Sequence, residues 1–187
     1  MKRYRDALTA FDKAIKIDPK DASIFNNKGV CLFKIEKYKE AIECFDQAVL
    51  LCPKSAFNAL NNKGICLKSM RKYTEAIDCF NEALRLNPNI ANVYSNKAVC
   101  LRILGKYQDA LSCYDKAIGL NNSNDATNFY NKGICFHYME NYEEAVKSYE
   151  KSLELDPEDA NVIVNRKSAK NLLIKKNILL KLGLLNH

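Results

Sequence analysis

Between Ala22 and Ile35, the apolar residues Phe25, Leu32 and Ile35 join Gly29 at helical spacing, in a segment long enough for a helix. The polar pair Glu36-Lys37 interrupts the pattern, and Tyr38 then opens a second stripe of Ala41, Ile42, Phe45, Ala48 and Val49. Pro53 ends it, because proline cannot continue the helical ladder and restricts the residue before it. The predicted unit is a helical hairpin, with the small residues Gly29 and Ala41 where its two helices press together. The same pattern returns from Phe25, Leu60, Tyr94 and Phe129, so the copies start 35, 34 and 35 residues apart. One hairpin cannot bury both faces of its helices, so neighbouring copies must stack, and a fixed period of this length predicts a stacked array.

These positions carry a family resemblance. Counting Ala22 as position 1, the first copy has Gly29 at position 8, Ala41 at 20, Phe45 at 24, Ala48 at 27 and Pro53 at 32. The second has Gly64, Ala76, Phe80, Ala83 and Pro88; the third Ala98, Ala110, Tyr114 and Ala117, with Asn122 in place of proline; the fourth Gly133, Ala145, Tyr149, Ser152 and Pro157. This resembles the tetratricopeptide repeat (TPR), a helix–turn–helix of about 34 residues. The resemblance implies an all-α right-handed superhelix, an α-solenoid of stacked antiparallel hairpins. The expected division is a second-helix half-repeat at 1–21, repeats at 22–56, 57–90, 91–125 and 126–159, and a partial repeat or basic capping helix at 160–187. Ala56 and Asp125 are single added residues between hairpins, which loops tolerate at small cost.

With 48% hydrophobic residues the chain can bury a substantial core. The net charge of +7 is local. Residues 160–187 hold Arg166, Lys167, Lys170, Lys175, Lys176 and Lys181 and no acid, leaving 23 basic against 22 acidic residues before them. A nucleic-acid binder would carry a basic stripe along its body, so no nucleic-acid partner is expected. Position 7 is Lys28, Lys63, Lys97, Lys132 and then Arg166. The expectation is a long stem over the core with its charge in water, the alternative a basic row for an acidic partner. Seven of the eight cysteines follow the repeat, Cys52 being the exception, and no two lie close enough for a metal knuckle. They read as small buried side chains in a reducing compartment. With neither a long apolar run nor a signal-like start, the expected location is cytoplasmic.

On each first helix, positions 2, 6, 9 and 13 fall within about 60° of one another, opposite the core-facing positions 4 and 11. In the family this face lines the concave groove. Position 6 is Asn27, Asn62, Asn96, Asn131 and Asn165; position 9 is Val30, Ile65, Val99 and Ile134. A primary amide both donates and accepts, so a row of them can hold the backbone of an extended peptide whatever its side chains, while the Val/Ile row meets those side chains. This resembles the asparagine ladder of peptide-holding TPR grooves; the bland alternative is a polar, solvent-facing residue, and Asn26 and Asn61 at position 5 show asparagine to be common here. The carboxylate clamp of co-chaperone TPR domains needs Lys at position 5 and Asn at position 9; here position 5 is Asn26, Asn61, Ser95 and Tyr130, and position 9 is apolar.

Enzymatic chemistry is not expected. His137, at position 12 near the groove rim, and His187 have no partnered nucleophile, and the phosphate-loop and HExxH patterns are absent. No catalytic residue, metal or cofactor is expected. The reading is a protein–protein interaction scaffold or adaptor holding an extended peptide, the alternative the targeting or regulatory arm of an enzyme whose catalytic domain lies outside this chain. At the ends, Phe11 and Ile15 lack a first-helix partner, which allows self-association. The C-terminal run should bury Leu172, Leu173 and Ile178 as a cap, although Leu179, Leu180, Leu182, Leu184 and Leu185 are many for that role. A basic amphipathic helix on a membrane surface is the other option.

Overall fold

The computed structural model describes residues 2–121, 125–182 and 184; Asn122, Leu185 and His187 lie outside them. The described chain is all-helical, without strands: α1 (Lys2–Ile17), α2 (Ala22–Lys34), α3 (Tyr38–Leu51), α4 (Phe57–Ser69), α5 (Tyr73–Leu86), α6 (Ala91–Ile103), α7 (Tyr107–Leu120), α8 (Ala126–Tyr138), α9 (Tyr142–Leu155) and α10 (Ala160–Lys181). A short 3-10 turn, Pro53–Ser55, follows α3. The chain forms two compact units, Met1–Cys100 and Leu101–His187.

Local chemistry sets the helix ends. Asp21 caps α2 by accepting from the Ser23 N–H at 2.8 Å, and hydrogen bonds to Ser23 hold its carboxyl below the usual value. Asp159 caps α10, accepting from the N–H groups of Asn161 and Val162. Asp125, an added loop residue by sequence, caps α8 through the Asn128 N–H at 2.9 Å. Ala56, the other added residue, is buried in a core cluster rather than held in a loose loop.

Each first helix ends in a left-handed residue at repeat position 15: Glu36 (φ 61°), Arg71 (φ 61°), Gly105 (φ 74°) and Glu140 (φ 56°). The next N–H reaches back to the helix, as in Lys37 N–H to Leu32 O at 3.0 Å and Lys72 N–H to Leu67 O at 2.9 Å. This closes a Schellman turn. Only one of the four sites has the glycine that favours it.

Inside the hairpins the glycine at position 8 meets the ring at position 24. A Cβ on Gly29 would lie 2.6 Å from Phe45, on Gly64 2.5 Å from Phe80, and on Gly133 2.5 Å from Tyr149. These rings are at most 1% exposed. Around them pack Leu32, Ala41 and Ala48, then Leu67, Ala76 and Ala83, and in the second unit Ala145, Val162 and Ala169.

The lysines at position 7 keep their stems partly covered and their charges at the surface, where three of them meet an exposed aspartate. Lys28 pairs with Asp12 at 2.7 Å, Lys63 with Asp46 at 2.6 Å and Lys132 with Asp115 at 2.6 Å. Each aspartate sits at position 25 of the preceding repeat. Lys97, which meets Asn81 in that register, makes no ion pair among the described residues. Three of these charges are therefore neutralised within the chain.

All eight cysteines are free, with Cys44, Cys66, Cys100, Cys113 and Cys135 buried, Cys31 and Cys79 half-buried and Cys52 exposed. Burial pushes the Cys66 thiol up to about 12, and those of Cys79, Cys100 and Cys135 to about 11. At the end of the second unit α10 runs unbroken to Lys181 and packs on α9. Leu172 and Leu173 are half-buried as a cap requires, but Ile178 is 52% exposed, contrary to expectation, while Leu179 and Leu180 beside it are half-buried. No described helix is long and apolar enough to cross a membrane.

Both the ring contacts and the thiol burial can be checked in solution. Urea unfolding should show Gly64→Val destabilised by about 1–3 kcal/mol through overpacking on Phe80, whereas Gly119→Ala, with nothing within 4 Å of the added Cβ, should gain roughly 0.5–1 kcal/mol. A thiol reagent at neutral pH should modify Cys52 rapidly and leave Cys66, Cys100 and Cys135 unreacted until denaturant is added.

Candidate functional site

The asparagines at position 6 are not simply solvated. In the first unit the Asn62 side-chain NH2 donates to Asn26 Oδ1 at 3.0 Å, and that of Asn96 to Asn61 Oδ1 at 3.5 Å. In the second unit the Asn165 NH2 donates to the Tyr130 hydroxyl at 2.9 Å. The acceptor in each case is position 5 of the preceding repeat, so the residues that made asparagine look merely common have a defined use. Asn131 is 9% exposed and donates to the carbonyl of Thr127 in its own helix. Asn27 is exposed and contacts its neighbour Asn26.

Donation to a neighbour fixes which way each amide points. It leaves Oδ1 of Asn62 and of Asn165 as acceptors without a partner among the described residues. Asn96 differs, since its Oδ1 accepts from Lys68 Nζ at 2.7 Å.

Two cavities open beside these amides. In the first unit Val30, Phe33, Lys34, Phe45, Asn62 and Ile65 enclose 220 Å³. In the second unit Arg102, Ile134, His137, Tyr138, Tyr149 and Asn165 enclose 270 Å³. In repeat register they coincide: both use positions 9, 12, 13 and 24 of one repeat and position 6 of the next. Each is smaller than the roughly 300–1,000 Å³ of small-molecule sites and is scaled to a single side chain.

The structure thus brings Val30, Asn62 and Ile65 together in one cavity, and Ile134 and Asn165 in the other. Asn27, Asn96, Val99 and Asn131 line neither. The cavities add residues not singled out as binding groups from the sequence: Phe33, Lys34 and Phe45, and Arg102, His137, Tyr138 and Tyr149. Positions 12 and 13 lie one turn beyond position 9 on the same helix face, so the spacing held that signal. Aromatic contacts set the rim of the second cavity. Tyr138 stacks on Tyr107 with centroids 5.5 Å apart, and His137 meets Tyr142 edge-on at 5.6 Å.

Comparison with known proteins agrees with this architecture. Tetratricopeptide repeat models match residues 22–55 and 57–90, and 89–158. A protein prenyltransferase alpha subunit repeat model matches residues 4–35, over α1 and α2. No curated protein sequence matches the chain. Among solved structures it is similar to MamA, at 23% identity over 84% of this chain and 91% of that one, with a TM-score of 0.77. It is also similar to YrrB, described as a TPR protein with an unusual peptide-binding site, at 27% identity over 90% and 84% of the two chains and a TM-score of 0.77. TTC0263, a thermophilic TPR protein of Thermus thermophilus, shares 22% identity over 90% and 91%, with a TM-score of 0.67. Paired helices, the small-residue and aromatic register, and the matching models together show that the chain belongs to the tetratricopeptide repeat family.

Proposed function

We propose that this chain is a non-catalytic protein–protein interaction scaffold whose first-helix faces hold an extended peptide. The observation that carries the reading is the pair of cavities at the same repeat positions, each beside an amide already oriented by its neighbour. In each unit a ligand N–H would donate to the spare Oδ1 of Asn62 or Asn165, and a ligand side chain would enter the adjoining cavity. Backbone contacts would give affinity without sequence preference, and the cavity walls would choose the side chain. The description of YrrB as having a peptide-binding site supports the same use here. At about 0.5–1.5 kcal/mol net per hydrogen bond, a few such contacts suit reversible, micromolar association. Eight free cysteines, five of them buried, support a reducing, cytoplasmic setting.

Panning a random peptide phage library on the wild-type chain tests this reading. Selected peptides, resynthesised with a fluorescent label, should bind Asn62→Ala/Asn165→Ala roughly tenfold more weakly in polarisation titrations. Ile65→Trp and Ile134→Trp, which fill the cavities, should abolish binding while circular dichroism shows an intact fold. Undiminished binding to all these folded variants would refute the proposal.

A further inference from the structure

We infer that the peptide this scaffold accepts is acidic, with aspartate or glutamate side chains taken up by Lys68 in the first unit and Arg102 in the second. The inference rests on the proposed peptide-holding face and names the chemistry of its ligand. Both cations occupy repeat position 12, whose counterparts Phe33 and His137 line the two cavities, and Arg102 itself lines the second. Position 12 reads Phe33, Lys68, Arg102 and His137, basic in three consecutive repeats.

Lys68 and Arg102 keep different company from the paired lysines. The chain has 22 acidic side chains, and Lys28, Lys63 and Lys132 each take one of them at 2.6–2.7 Å. Lys68 does not: its ammonium is held by the neutral Oδ1 of Asn96 at 2.7 Å, and it makes no ion pair among the described residues. Lys68 is half-buried, and burial lowers its pKa with no carboxylate to oppose the shift. A cation partly removed from water and not paired is costly, and an incoming carboxylate relieves that cost.

Arg102 is the sharper case. Its Nε is buried, and among the described residues it has no hydrogen-bond partner and the side chain makes no ion pair. Buried donors left unmatched are rare in native proteins. Guanidinium offers five donors in a planar fork that fits a carboxylate two bonds at a time. A carboxylate entering the 270 Å³ cavity would meet that fork beside Asn165 and His137. This set is distinct from the co-chaperone clamp, whose lysine at position 5 and asparagine at position 9 the chain lacks.

The test uses the same phage library. Peptides selected by the wild-type chain should be enriched in Asp and Glu over the unselected library. Their affinity should fall about tenfold or more in each of Lys68→Met and Arg102→Met. Arg102→Lys should recover part of the loss, because it restores the charge without the fork. Lys63→Met removes a lysine already paired with Asp46 and should select acidic peptides unchanged; an equal loss there would show a general charge effect and overturn the assignment. Peptides that depend on Asn62 and Asn165 but show no acidic enrichment and ignore Lys68 and Arg102 would overturn it while leaving the peptide-holding reading intact. Peptides indifferent to all four residues would remove both. Displacement of selected peptides by a single-stranded oligonucleotide more efficiently than by an unlabelled acidic peptide would also overturn it.

Discussion

The constraint on which the structure turns is the contact of a bare Cα with an aromatic ring. At Gly29, Gly64 and Gly133 the missing Cβ is what lets Phe45, Phe80 and Tyr149 lie against the first helix. Because each ring is at most 1% exposed and lies against its glycine, it fixes both the separation and the relative rotation of its two helices. The same rings have a second use. Phe45 and Tyr149 also wall the two cavities, so the group that locks a hairpin also forms part of the surface offered to a ligand. Fold and candidate site are thereby coupled through Phe45 in the first unit and Tyr149 in the second, and a change that loosens either hairpin reshapes the cavity beside it.

A second coupling joins successive repeats within each unit. Position 6 donates to position 5 of the repeat before it, and position 7 pairs with an aspartate at position 25 of the repeat before it. In the proposed reading one side chain would serve assembly and recognition together: Asn62 and Asn165 donate in stacking, and each Oδ1 would be left to accept from a partner. That arrangement also orients the amide in advance, which lowers the ordering cost of binding. The polarity of the face follows from what is paired and what is not. Lys28, Lys63 and Lys132 at position 7 are paired inside the chain, while Lys68 and Arg102 at position 12 make no ion pair among the described residues.

Much of this was legible in the sequence, for physical reasons. Period, small residues and aromatics placed the helices because packing tolerates few alternatives at Gly64 or Phe80, and Tyr38 marks the start of its helix as its pattern predicts. The row of asparagines could be read as one face of the first helices. What stayed hidden depends on partners distant in the chain. Nothing in Glu36, Arg71 or Glu140 announces a left-handed turn, because the stacked hairpin imposes it. The position-7 charges could be judged only once Asp46 and Asp115 were seen beside them. At position 12 the meaning of Lys68 and Arg102 lies in a missing partner, which only a three-dimensional structure shows. The face α10 presents was hidden for a similar reason: only the packing against α9 shows that Ile178 is exposed while Leu179 and Leu180 are half-buried.

The central claim is that the pinned amides meet the ligand directly. Side-chain NH2 resonances of asparagine-labelled protein, followed while a library-selected peptide is added, test it without altering a residue. The account predicts saturable shifts at Asn62 and Asn165, with Asn27 little changed. Shifts absent from both, and concentrated instead on α1 or the exposed end of α10, would contradict it.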